Sequence, residues 1–107
     1  MEMQMALEAN LRNFLDAQGR LTGFPAKRKM RMYALLYLAR RFEADRVYTE
    51  RDVNELLLRW HTFGDPATLR RELFDACFLD RSPDGREYRL SPDRPTPETL
   101  GLEEGKP

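Results

Sequence analysis

Apolar positions along the chain fall into helix-spaced stripes followed by a short alternating stretch. Leu7, Leu11, Phe14 and Leu15 recur at the spacing of one helix face, and Gly19 closes that segment. The next helix is predicted from about Ala26 to Phe42. Its run Met32-Tyr33-Ala34-Leu35-Leu36-Tyr37-Leu38-Ala39 is apolar almost all round, which predicts a central helix covered on several sides. Arg46-Val47-Tyr48 reads as a short strand. Thr49 follows as an N-cap with Asp52 as capping-box partner, and Val53, Leu56, Leu57 and Trp60 mark one helix face. His61-Thr62-Phe63-Gly64 is a turn. Asp65 then caps a second helix that has Pro66 in its first position and Leu69, Leu73 and Ala76 as its stripe, with Cys77 beside it. Phe78 and Leu79 lead into Asp80-Arg81, a Ser82-Pro83-Asp84-Gly85 turn, and Arg86 to Leu90, a hairpin.

Strand, helix, tight turn, helix and hairpin is the order of a winged helix-turn-helix. The expected fold is therefore mainly α with a small β-hairpin: a winged helix-turn-helix domain over residues 20–91, with an extra N-terminal amphipathic helix over residues 1–19. That helix either folds back on the domain or packs against a second copy. Residues 92–107, rich in proline, glycine and acidic side chains with only Leu100 and Leu102 apolar, are expected to form a disordered tail. Trp60, Tyr33 and Tyr37 are expected in the core, Tyr48 and Tyr88 stacked across paired strands, and Cys77 as a small buried hydrophobe.

Charge changes the picture only through its distribution. The chain carries 18 basic and 18 acidic residues. Removing the tail leaves 16 and 14, a weakly basic domain well short of a strong nucleic-acid footprint. The single cysteine allows no internal disulfide, no signal peptide is visible, and the apolar run Met32 to Ala39 is too short to cross a bilayer, so a cytoplasmic protein without membrane contact is expected.

Duplex DNA is the leading candidate partner. In a helix-turn-helix the second helix offers its N-terminal residues to base edges, here Ala67, Thr68, Arg70 and Arg71. Arginine suits bidentate contact with guanine, and threonine suits a thymine methyl. Arg81, Arg86 and Arg89 on the wing, and Lys27, Arg28 and Lys29 at the start of the central helix, are candidate phosphate contacts. The same residues also read as a solvated face. Glu72 and Asp75 interrupt the helix with negative charge, Arg71 and Asp75 are spaced as an i, i+4 pair, and Arg70 is in reach of an acidic partner across the turn. The alternative is a protein-interaction or dimerisation module without DNA contact, anchored by the helix from Met5 to Gln18 and by Phe14, Phe63, Phe74 and Phe78. Phe74 is either an exposed anchor or packs beneath the wing.

Enzymatic signals are weak. One histidine and one cysteine cannot form a His/Cys metal cluster, and His61 in the turn reads as a surface or capping residue. Glu50, Asp52 and Glu55 are spaced for capping and solvation rather than for paired acid–base work. Neither a glycine-rich phosphate loop nor a nucleophile elbow is present. No catalytic residue, cofactor or metal is expected.

Three stretches, Leu21-Thr22 with Pro25-Ala26-Lys27-Arg28-Lys29, Tyr48-Thr49-Glu50 with Val53-Asn54, and Ala67-Thr68-Leu69-Arg70-Arg71-Glu72-Leu73 continued by Asp75, Leu79 and Arg81, stand in linked order. In them the segment from Leu21 to Tyr88 resembles a bacterial family, the domain of unknown function 2087 (DUF2087). The resemblance departs at His61-Thr62-Phe63-Gly64-Asp65, where the family has a shorter acidic link. Members occur alone, joined to helix-turn-helix regulators of the metal-sensor type, or joined to acetyltransferase-like domains. The resemblance implies a winged-helix-like fold in a regulatory setting, without implying a chemistry.

Overall fold

The computed structural model describes residues 2–101, with side chains from Ala6 onward. Met1 and residues 102–107 lie outside it, and with them Leu102, Glu103, Glu104 and Lys106 of the expected tail. The described residues form four α-helices, α1 (Glu2–Leu11), α2 (Arg28–Ala39), α3 (Glu50–Trp60) and α4 (Pro66–Asp75). A small antiparallel sheet is built from β1 (Tyr48–Thr49), β2 (Leu79–Arg81) and β3 (Glu87–Leu90) in the order β1-β3-β2. This set is compatible with a winged-helix arrangement.

The starts of both α3 and α4 are fixed by local chemistry. The Thr49 hydroxyl accepts the Asp52 N–H at 3.0 Å, and the Asp52 carboxylate accepts the Thr49 N–H at 3.1 Å. These bonds, with the Thr49 backbone first, hold the Asp52 carboxyl below its usual range. The Asp65 carboxylate accepts the Thr68 N–H at 3.2 Å, with Pro66 in the first turn. Between the helices sits His61, which is buried at 3% exposure rather than at the surface. Its Nε2 accepts the Asp65 N–H at 2.9 Å, so its Nδ1 carries the proton and donates to the Leu57 carbonyl at 2.5 Å. One imidazole thus ties the last turn of α3 to the first residue of α4. Leu21 joins the same knot, since its N–H donates to the Trp60 carbonyl at 2.8 Å and its carbonyl accepts the Thr62 N–H at 2.9 Å.

The C-terminus of α4 corrects one expectation. Cys77 is exposed, with φ of +69°, in the left-handed conformation. The Phe78 N–H donates to the Leu73 carbonyl at 2.9 Å and the Cys77 N–H to the Phe74 carbonyl at 3.0 Å. This is the Schellman pattern, in which glycine usually takes the position of Cys77. Phe78, one residue on, is the fully buried side chain instead.

α1 folds back on α2, with Leu7 and Leu11 fully buried. It stops at Leu11, short of the expected Gly19, and a 3-10 turn spans Arg12–Phe14. The cause is Asp16, whose carboxylate accepts from the Gln18 N–H at 2.9 Å and from the Arg20 N–H and Nε, both at 2.8 Å. An aspartate satisfied in this way holds the chain in a loop instead of a helix. Gly19, at φ of +80°, closes that loop. Its carbonyl accepts the Tyr37 hydroxyl at 2.6 Å, and a Cβ there would lie 3.0 Å from that oxygen. Burial pushes the Tyr37 hydroxyl above the usual phenol range.

Residues Tyr33 to Ala39 of α2 are buried on every side, as their continuous apolar run predicts. Trp60 is only half-buried. It meets Tyr37 edge-on at 6.4 Å, and the Arg41 guanidinium lies 4.0 Å over its ring. In the sheet Tyr48 stands opposite Tyr88, but its ring packs edge-to-face on Phe42 at 5.1 Å. The first strand comprises Tyr48–Thr49 rather than Arg46 to Tyr48. Beyond β3 the chain makes turns at Ser91–Arg94 and Thr96–Thr99, and Leu100 packs against the core.

Candidate nucleic-acid interface

α4 is held against the domain by Leu69 and Leu73, both fully buried. That placement leaves Thr68 and Arg71 exposed on the opposite side. No ion pair or hydrogen bond of the described residues engages the Arg71 side chain, Asp75 included. Arg70 is placed otherwise. Its side chain is only 18% exposed; one guanidinium nitrogen donates to the Asn54 side-chain Oδ1, and the other lies 3.8 Å from the Glu50 carboxylate. Arg70 therefore bridges α4 to the first turns of α3.

The wing contributes Arg81, whose guanidinium lies 4.5 Å over the Phe74 ring. Phe74 thus packs beneath the wing, and the stack holds the arginine in place by its flat face. Arg70, Arg71 and Arg81 line one cleft of about 310 Å³ together with Phe74, Tyr88, Glu50 and Asp75. Cross-strand partners share a sheet face, so Arg81, opposite Tyr88, faces α4, while Arg89, opposite Asp80, faces away. Arg86 is exposed at the wing tip, 3.9 Å from Asp84. Asp84 shapes that tip, accepting the Ser82 hydroxyl at 2.6 Å and the Arg86 N–H at 3.0 Å, which hold its carboxyl below the usual range.

Lys27, Arg28 and Lys29 are exposed at the start of α2 and outside that cleft. Arg28 lines a different cleft, with Arg31 facing Glu72 and Asp75 of α4. Asp75 borders both clefts and stands between the two basic groups. Acidic side chains beside the basic first turn also ease the unfavourable meeting of cations with the positive helix end. The acidic partner expected for Arg70 across the turn is Glu50, whereas sequence reasoning missed Asn54, because no local pattern links residues 16 apart. Among the described residues no group of three His, Cys, Asp or Glu side chains is placed to hold a metal ion, and no helix is long and apolar enough to cross a membrane.

Comparison with known families matches residues 20–90 to DUF2087, an uncharacterized protein family conserved in bacteria. The chain belongs to this family. The DUF2087 match runs from the Leu21 knot through β3, so it contains both clefts and excludes α1 and the segment after Leu90. It also covers the stretches on which the resemblance rests. No curated protein and no solved structure matches the chain at a significant level.

Proposed function

We propose that the protein is a small winged-helix DNA-binding or transcription-regulatory protein of the cytoplasm, with α4 as recognition helix and the β2–β3 hairpin as wing. The observation that carries this reading is the pairing of Arg71, exposed and without an ion pair, with Arg81, fixed on Phe74, in the cleft between α4 and the wing. Thr68 and Arg71 read bases, Arg81 and Arg86 supply phosphate contacts from the wing, and Arg89, on the other face of the sheet, lies outside this interface. Arg70 supports recognition from behind by holding α4 on α3. Lys27, Arg28 and Lys29 are secondary contacts at most, because none of them lines the cleft.

The test is fluorescence anisotropy of a labelled random duplex at several salt concentrations. Two phosphate contacts give a log–log slope of about −2. Arg71→Ala and Arg81→Ala each weaken binding, whereas neutralising Lys27, Arg28 and Lys29 leaves the slope nearly unchanged. Absence of binding at about 50 mM salt by a folded protein refutes the reading.

A second reading, a protein-interaction or dimerisation module, draws on exposed Leu58 at 50% and Phe63 at 36%. Of the phenylalanines considered as anchors, Phe63 alone stands exposed. Phe78 is buried, Phe74 lies under Arg81, and Phe14 packs on the core. Concentration-dependent self-association that Leu58→Ser abolishes would favour this reading.

A further inference from the structure

The cleft between α2 and α4 has two walls of opposite charge. Arg28, Arg31, Met32 and Leu35 occupy one face of α2 at i, i+3, i+4 and i+7, and Glu72, Asp75 and Ala76 occupy the facing side of α4 at i, i+3 and i+4. The space between them is about 380 Å³, within the size range of small-ligand sites. Among the described residues no ion pair of 4.0 Å or less spans it. The Arg31 guanidinium lies 4.6 Å over the Phe24 ring, and its Nε–H is buried with no hydrogen-bond partner. Two arginines and two carboxylates therefore share one cleft without an ion pair between them, and one buried donor, the Arg31 Nε–H, has no partner.

We propose that this cleft binds a small zwitterion of the α-amino-acid class with an apolar side chain. A simple anion is repelled by Glu72 and Asp75, and a simple cation by Arg28 and Arg31. A ligand carrying both signs satisfies both walls, and charge-assisted bonds to each are the stronger kind. The ligand carboxylate faces Arg28 and Arg31, and its ammonium faces Glu72 and Asp75. Met32, Leu35 and Ala76 supply the apolar surface for its side chain. The site differs from the α4–wing cleft and does not depend on DNA binding.

Cys77, exposed at the edge of this cleft and the only cysteine of the chain, is a built-in reporter. The experiment measures the rate at which a thiol reagent modifies Cys77 in the full chain while L-leucine is titrated to about 10 mM, an affinity range suited to a small ligand. Leucine is expected to slow modification saturably. 4-Methylpentanoate, which lacks the ammonium, and leucinamide, which lacks the carboxylate, should each need about tenfold higher concentration. Glu72→Gln and Arg28→Gln, the latter at an exposed residue, should each weaken protection by about tenfold with the melting temperature retained. No saturable protection, equal protection by either single-charge analogue, or indifference to both substitutions overturns the proposal. A cleft that holds only water gives the first of these results.

Discussion

Arg70→Ala separates a structural arginine from a recognition arginine. The Arg70 guanidinium donates to Asn54, and a hydrogen bond involving a charged group is worth about 1.5–3 kcal/mol. Its approach to Glu50 adds little, because that carboxylate is 54% exposed and surface ion pairs contribute about 0–1 kcal/mol. Water recovers part of the loss at half-buried Asn54, so the substitution is expected to cost about 2 kcal/mol. For a domain of this size that corresponds to a fall in Tm of roughly 8–16 °C. Arg71→Ala, at an exposed residue without a partner, should stay within about 0.5 kcal/mol of the parent. Urea denaturation of both variants gives the stabilities, and a double-mutant cycle of Arg70→Ala with Asn54→Ala should return a coupling of about 1 kcal/mol or more. Duplex binding measured well below both melting points then isolates recognition, where Arg71→Ala is the more damaging change. If Arg70→Ala is as stable as Arg71→Ala and shows no coupling to Asn54, the bridge between α3 and α4 contributes nothing and the argument fails.

Other substitutions test the local devices. Cys77→Gly relieves a left-handed conformation costing about 1–2 kcal/mol for a residue with a Cβ. Set against the larger unfolded-state entropy of glycine, about 0.4–1 kcal/mol, it should stabilise the protein by roughly 0.5–1 kcal/mol, read as a higher urea midpoint. His61→Ala leaves the Asp65 N–H and the Leu57 carbonyl without their partner and opens a buried space, which should cost about 2–4 kcal/mol in the same assay. Hydrogen bonds from Thr68 hold the Asp65 carboxyl below its ordinary 3.8, so the charged cap stabilises the fold above that value and is lost as pH falls through the lower folded one. Asp65→Asn, an equally good cap near neutral pH, should therefore match the parent at about pH 7 and flatten the decline in stability between about pH 5 and pH 2.

What was legible in the chain was what neighbours in sequence decide. Thr49 with Asp52, Asp65 with Pro66, and the Ser82–Gly85 turn each act within a few residues, and each starts or reverses the chain where the pattern placed it. The stripes Val53-Leu56-Leu57 and Leu69-Leu73 are buried because helical periodicity alone brings them to one face. The misses came from competition or distance. Apolar spacing carried the first helix on to Gly19, but Asp16 offers the backbone a better set of bonds and the helix ends at Leu11. Cys77 has the composition of a core residue, yet the geometry of the helix end places it outside and buries Phe78. His61 carried no signal that both ring nitrogens would be used internally. The Arg70–Asn54 bond joins two helices across a turn, so neither residue announces it.

The two clefts flanking α4 give the zero net charge of this chain a mechanical meaning. α4 spans only ten residues, fixed at its start by Asp65 and His61 and at its end by the turn at Cys77. Bonds at both ends hold α4 against the domain, and electrostatics supplies a local route between its two surfaces. Asp75 borders both clefts, and its negative charge opposes a phosphate approaching Arg71 and Arg81. On the two proposals above, a zwitterion whose ammonium sits against Asp75 lowers that opposition without moving the backbone. Linkage then fixes the sign of the coupling: the ligand tightens duplex binding, and the duplex tightens ligand binding by the same factor. A simple anion, repelled by Glu72 and Asp75, leaves the charge at Asp75 unchanged and gives no such coupling. On those proposals the carboxylates of α4 are the groups through which a bound zwitterion acts on the α4–wing cleft.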